Sequence, residues 1–193
     1  MMETDYTNLP ISTLTDESTL IRQAQSGDAY AFAQLYDERV ERVYRYITLR
    51  VENDRVAENI TVWVFSKAWE QLDRYKISGS SFTEWLYAIA RNEIIAYYRT
   101  HKRNAVQDNT VTMVVGGPYQ SEGIQDVFEL QAMRDGLQFL TGEEQQVLIL
   151  KFIARLSNEN IAHVMSKRES YVRTLQFRAL QRLMGYLQEK EVI

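Results

Sequence analysis

The sequence predicts an all-α protein: two small helical domains joined by a flexible linker, the second containing a helix-turn-helix. Two observations carry this reading. Only two prolines, Pro10 and Pro118, occur in 193 residues, and neither interrupts a long periodic segment, so helix breakers are nearly absent. Around Met113 to Gly123 the chain reads MVVGGPYQSEG, a composition that does not continue a helix and that separates two periodic blocks. The expected division is an N-terminal tail over 1–15, a helical domain over 16–103, a linker over 104–135 and a second helical domain over 136–193.

In the first block, Asp28 is a candidate N-cap for a helix running to about Val51. Its apolar residues, from Phe32 and Leu35 through Val43 and Ile47, follow three-four spacing. A second helix is expected over roughly Asp54 to Leu72. It carries Val56, Ile60, Val64 and Ala68 on one stripe and Val62, Phe65, Trp69 and Leu72 on another, with Trp63 between. A third is expected from about Ser81 to Lys102, with Phe82, Trp85, Leu86, Ile89, Ala90, Ile94 and Tyr97 repeating helically. Three such helices can bury a small common core.

The second block opens on Thr141-Gly-Glu-Glu144, whose capping-box spacing starts a helix through Ile153. Ser157 then caps a short helix holding Ile161, Ala162 and Val164, with His163 expected on or near its apolar side. After the Met165-Ser-Lys-Arg turn comes a long final helix with Val172, Leu175, Ala179, Leu183 and Leu187 on its buried side. Ser166 and Glu169 have capping-box spacing at its start. A short helix, a tight turn and a longer basic helix form the helix-turn-helix layout.

Composition excludes several function classes. There is no cysteine, which removes disulfides, thiolate zinc sites and cysteine nucleophiles and fits a reducing cytoplasm. His101 and His163 lie too far apart in sequence to suggest a histidine-built metal site. No Gly-rich phosphate loop follows a strand, so no catalytic residue, metal or cofactor is expected. No apolar run approaches the length of a membrane span, and the acidic start of the chain is unlike a signal peptide.

The net charge of −4 hides its own distribution. Residues 31–103 hold ten acids and twelve bases, and residues 141–193 hold six acids and eight bases. The acidity sits in the tail and the linker. Between Arg155 and Arg182 there are six bases and two acids, in the helices whose layout suits duplex DNA. Basic side chains neutralise phosphates and arginine can donate two bonds to guanine. The first turns of the final helix present Arg168, Ser170, Tyr171, Arg173 and Thr174, with Phe177 and Arg178 beyond. A solvated amphipathic helix fits the same charges.

Two further surfaces stand out. The third helix ends in Tyr97-Tyr98-Arg99-Thr100-His101-Lys102-Arg103. Rings that stack on bases, interleaved with cations that hold the backbone, suit an unpaired strand, and Arg91 and Asn92 lie two turns earlier. A basic C-terminus complementing the helix dipole, with tyrosines packed in the core, fits equally. The second stripe of the second helix is either a contact surface for a large partner or the mark of a central helix.

Phe32 to Tyr36, AENITVWVFSKAWEQLDRY (Ala57 to Tyr75) and FTEWLYAIARNEIIAYYRTHKR (Phe82 to Arg103) resemble the second conserved domain of bacterial sigma factors of the extracytoplasmic-function group. LTGEEQQVLILKFIARLSNENIAHVM and the helix after it resemble their fourth domain, in the same order. The resemblance implies a factor that binds core RNA polymerase through the AENITVWVF helix, with Asn59, Val62, Trp63, Phe65 and Trp69 at the contact. It implies that Arg91, Asn92, Tyr98, Arg99, Lys102 and Arg103, with the loop from about Asp73 to Ser81, hold the minus-ten strand open and capture a flipped base. It further implies that the final helix reads the minus-thirty-five duplex. Action in the cytoplasm and control by an anti-sigma factor are implied on the same ground.

The chain departs from the family pattern at several positions. Asn59-Ile-Thr-Val-Trp63 replaces an acidic-Leu-Thr-Gln-Glu run, and Ala96 replaces the usual aspartate. Ser166 takes the place of the turn glycine and Lys167 that of the apolar plug after it. Leu175, Gln176 and Phe177 replace a commonly basic stretch. The competing expectations are a stand-alone helix-turn-helix regulator without polymerase engagement and a helical protein-interaction module.

Overall fold

A computed structural model describes residues 16–77, 79–102 and 135–191. Among the described residues the regular elements are helical and no strand occurs. In chain order they are α1 (Glu17–Gln25), α2 (Ala29–Asp37), α3 (Val40–Thr48), α4 (Asp54–Glu70), a 3-10 turn (Leu72–Arg74), α5 (Phe82–Lys102), α6 (Gly142–Leu148), α7 (Asn158–Met165) and α8 (Glu169–Glu191). The expected tail over 1–15, and the expected linker apart from Asp135, lie outside the described residues.

Local chemistry sets most helix starts. Asp28 accepts from the backbone N–H groups of Tyr30 and Ala31 at 2.9 and 3.2 Å. Asn53 caps α4 through Val56 N–H at 3.0 Å. Thr141 and Glu144 form a reciprocal capping box on α6, and Ser157 accepts from Asn160 N–H at 3.1 Å. Each satisfies donors that a helix terminus leaves unpaired. α6 then widens into a π-turn over Ile149–Ile153.

The single helix expected from Asp28 to Val51 is two. It breaks at Glu38–Arg39, where Arg39 turns inward instead of continuing the solvent face. Its side chain is buried and bridges Glu17 of α1 and Glu38, both at 2.6 Å, with the guanidinium 5.5 Å from the centre of the Phe82 ring. One buried cation thus joins α1, the α2–α3 corner and the start of α5. α1 was not anticipated as an element, although Leu20, Ile21 and Ala24 bury one of its faces.

The first domain closes around Val43, Ile47, Leu35, Ala57, Ile60, Val64, Leu86, Ala90 and Ile94. Arg50 is buried beside it, its Nη1 donating to the Tyr46 hydroxyl at 3.4 Å. The Tyr98 hydroxyl donates to the Arg50 carbonyl at 3.1 Å and lies 3.2 Å from Glu52 Oε2, and the Tyr97 hydroxyl also bonds Glu52. Burial raises the Tyr98 phenol well above its ordinary range, and the Glu52 carboxylate adds to the shift. The phenol therefore remains a donor to the Arg50 carbonyl and the Glu52 carboxylate.

The second domain packs α6 and α7 against Val172, Leu175 and Ala179 of α8. The expected Ser166–Glu169 cap is not made. Ser166 instead closes α7 in the left-handed region, at φ 54°, the conformation that a turn glycine supplies. His163 is exposed rather than packed, since Ile161, Ala162, Val164 and Met165 take the buried face. The two domains touch: α7 lies against α5, with the Asn160 amide bonded to the buried Glu84 carboxylate, and the π-turn lies against α3.

Tyr98→Phe removes one buried hydroxyl and its two partners' bonds. It is expected to lower unfolding stability by about 1–2 kcal/mol, as read by urea denaturation of the full chain.

Candidate nucleic-acid and polymerase surfaces

The start of α8 presents an open candidate surface. Arg168, Ser170, Tyr171, Arg173, Thr174, Phe177 and Arg178 are all exposed, while Val172, Leu175 and Ala179 are buried. The expected reading residues therefore share the solvent side of one helix. Arg173 pairs with Glu169 one turn earlier at 2.7 Å. Leu175 is core, so an arginine-bearing position of the family pattern here serves packing.

The end of α5 gives a narrower strip. Asn92 and Arg99 are exposed; Arg91 is half-buried, its Nη1 3.4 Å from Asn92 Oδ1 and its Nε buried without a hydrogen-bond partner. At the start of α5, the expected capture loop is stapled by aromatic rings. Tyr75 packs on Phe82 and Trp85 at centroid distances of 5.5 and 5.1 Å, and its hydroxyl donates to Ser80 O at 2.7 Å. From α1, Gln25 Nε2 donates to the carbonyls of Leu72 and Tyr75, both at 2.9 Å.

α4 offers an apolar ridge. Asn59 is exposed, Val62 is 68% exposed and Trp63 61% exposed. Trp63 also lines an open groove of about 750 Å³ between α4 and α5, across which Lys67 pairs with Glu93 at 2.5 Å.

Comparisons with known proteins match the chain in two segments. The family model for Sigma-70 region 2 matches residues 35–104, and that for Sigma-70, region 4 matches residues 136–184. The chain is 32% identical to the ECF RNA polymerase sigma factor BldN of Streptomyces coelicolor over 87% of its own length and 64% of that relative's. It is 26% identical to the ECF RNA polymerase sigma factor SigM of Bacillus subtilis, over 78% of this chain and 91% of that one. The chain belongs to the extracytoplasmic-function group of sigma factors. Its fold also matches the solved structure of CnrH in complex with the cytosolic domain of CnrY, at TM-score 0.70 and 21% identity over 90% of this chain and 97% of that one. A second match is the sigma factor RpoE in complex with the anti-sigma factor NepR from Bartonella quintana, at TM-score 0.67 and 22% identity over 81% and 96%. Sigma factors are generally non-enzymatic initiation factors. No helix among the described residues is long and apolar enough to cross a membrane.

Two expected site residues of this sigma factor are placed elsewhere by the structure. Phe65 is 4% exposed, with its ring edge-on to Tyr36 at 4.6 Å, so it belongs to the core rather than to a partner surface. Tyr98 is 7% exposed and spends its hydroxyl on Arg50 and Glu52, so its ring is not presented to a base. Trp69 is intermediate: 39% exposed and edge-on to Phe32 at 4.9 Å. The Lys102 side chain and Arg103 lie outside the described residues. Sequence reasoning missed Gln25, whose carbonyl partners lie about fifty positions away and leave no local signal.

These placements separate core from contact on a single helix. Val62→Ala with Trp63→Ala is expected to weaken core polymerase binding at least about tenfold while leaving the melting temperature within a few degrees, because exposed truncation costs little stability. Phe65→Ala is expected to cost about 3 kcal/mol of stability by opening a core cavity. Pull-down with core polymerase and thermal melts, run in parallel, check both.

Proposed function

We propose that this sigma factor binds core RNA polymerase through the Asn59–Val62–Trp63 ridge of α4, with Trp69 at its edge. α8 reads the minus-thirty-five duplex. The α5 strip of Arg91, Asn92 and Arg99, with the loop after α4, recognises and holds the minus-ten strand. The observation that carries the reading is the coexistence in one chain of the two sigma-type domains, each with an exposed basic or polar strip facing away from its own core. No covalent chemistry is required of the chain: base recognition and strand capture suffice to place polymerase, and no catalytic residue, metal or cofactor enters. The site of action is the cytoplasm, where polymerase and promoter meet. An anti-sigma factor is the protein partner we assign, supported by the solved complexes of fold relatives.

The two strips cannot serve one promoter while the domains touch. The two elements are centred about 25 base pairs apart, roughly 85 Å along a duplex. α5 and α7 are in direct contact, so engagement of both elements requires the domains to part.

Reconstitution with the cognate core enzyme and a promoter library, followed by mapping of transcript starts, tests the proposal. Starts that depend on both elements are expected, and Arg173→Ala is expected to relax preference at one upstream position by about 1–3 kcal/mol. Duplex binding without promoter-dependent starts would instead indicate a stand-alone regulator.

A further inference from the structure

The turn before the reading helix carries a lysine where sigma-type turns usually place an apolar plug, and the structure shows what takes the plug's role. Glu143, in the first turn of α6, receives Lys167 Nζ on Oε1 at 2.8 Å and the Tyr171 hydroxyl on Oε2 at 2.8 Å. The Lys167 ammonium also lies 5.1 Å from the centre of the Tyr171 ring. One carboxylate thus ties the turn and the third residue of α8 to a different helix. The neighbouring Glu144 does the same further along, accepting from Arg182 Nη1 at 3.1 Å while capping α6.

This clasp is partly solvated, with 43% of the Glu143 side chain and 34% of the Lys167 side chain exposed. Exposed ion pairs contribute little to stability, so an apolar plug would hold the turn better. The polar clasp has two properties a plug lacks. It is directional, fixing the angle at which the Tyr171 ring leaves the helix. It also places a carboxylate at the rim of a phosphate-facing surface and occupies the nearest lysine. Lys167 and Tyr171 hold the Glu143 carboxyl below its ordinary range, so the pair is fully charged at neutral pH.

We propose that Glu143 is a positioning residue for duplex reading: it presents Tyr171 to the upstream element and withholds Lys167 from non-specific phosphate contact. The proposal rests on α8 being the minus-thirty-five reader. It makes discrimination between sequences, rather than affinity as such, the property that Glu143 controls.

The test uses the full chain assembled with core polymerase, binding either a cognate promoter or the same DNA with a scrambled upstream element, over a range of salt. Glu143→Gln is expected to lower the ratio of the two affinities about tenfold. Freed of its partner, Lys167 then reaches phosphate, and the salt dependence of binding to the scrambled DNA steepens by about one counterion. Tyr171→Phe is expected to lower the ratio similarly without the change in salt dependence. Combined with Glu143→Gln it lowers the ratio no further, because the two act through one bond. An unchanged ratio in Glu143→Gln overturns the proposal. So does a parallel fall in both affinities accompanied by a lower melting temperature, which marks a purely structural role. If the wild-type assembly does not distinguish the two DNAs, the reading of α8 itself fails and the proposal falls with it.

Discussion

α5 is the constraint to which the other elements answer. Phe82, Leu86, Ala90 and Ile94 bury one face of this helix in the first domain, against α3 and α4, while Glu84 reaches α7 of the second domain. What remains exposed of the expected nucleic-acid strip is Asn92 and Arg99, with Arg91 half covered at its edge. For its proposed part in promoter melting that strip must be presented at a set angle, and the angle is inherited from a hydrophobic core. The loop that leads into α5 is likewise positioned from behind, by Tyr75 on Phe82 and by Gln25 of α1.

Polar interactions in this chain divide by burial, and their uses divide with it. The buried cations do fold work. Arg39 pins α1 to the α2–α3 corner, and the buried Arg50 donates to Tyr46 while its carbonyl accepts from Tyr98, so losing a partner costs the full desolvation penalty of the group left behind. The exposed pairs, Lys167–Glu143 and Arg173–Glu169, are too solvated to matter much for stability. They lie on or beside α8, the proposed reading helix, where orientation and local charge matter more than folding energy.

The helical class, the two-block organisation and the helix starts at Asp28, Thr141 and Ser157 were legible because they depend on local signals: capping residues and three-four spacing. α4 shows where such signals stop. Val62, Trp63, Phe65 and Trp69 crowd its circumference, and spacing alone could not decide which of them faces solvent; Val62 and Trp63 do, and Phe65 does not. Tyr98 reads as an aromatic among cations, yet contact with Arg50 and Glu52, more than forty positions away, draws it inward. The break at Arg39 has the same origin, since its partner Glu17 lies on another helix. The Glu143 clasp was visible only as a lysine in an unexpected place. Its meaning required the carboxylate that the fold brings to it.

The two strips proposed to face DNA belong to domains that touch in the isolated chain and act far apart on one promoter. A single distance tests it. The chain has no native cysteine, so Gln23→Cys on α1 and Gln188→Cys on α8, both exposed, accept a donor and an acceptor dye cleanly. The account predicts efficient energy transfer in the free chain and its loss in the promoter-bound polymerase assembly, as the domains move apart toward the roughly 85 Å between the elements. Unchanged transfer in an assembly that initiates transcription would contradict it.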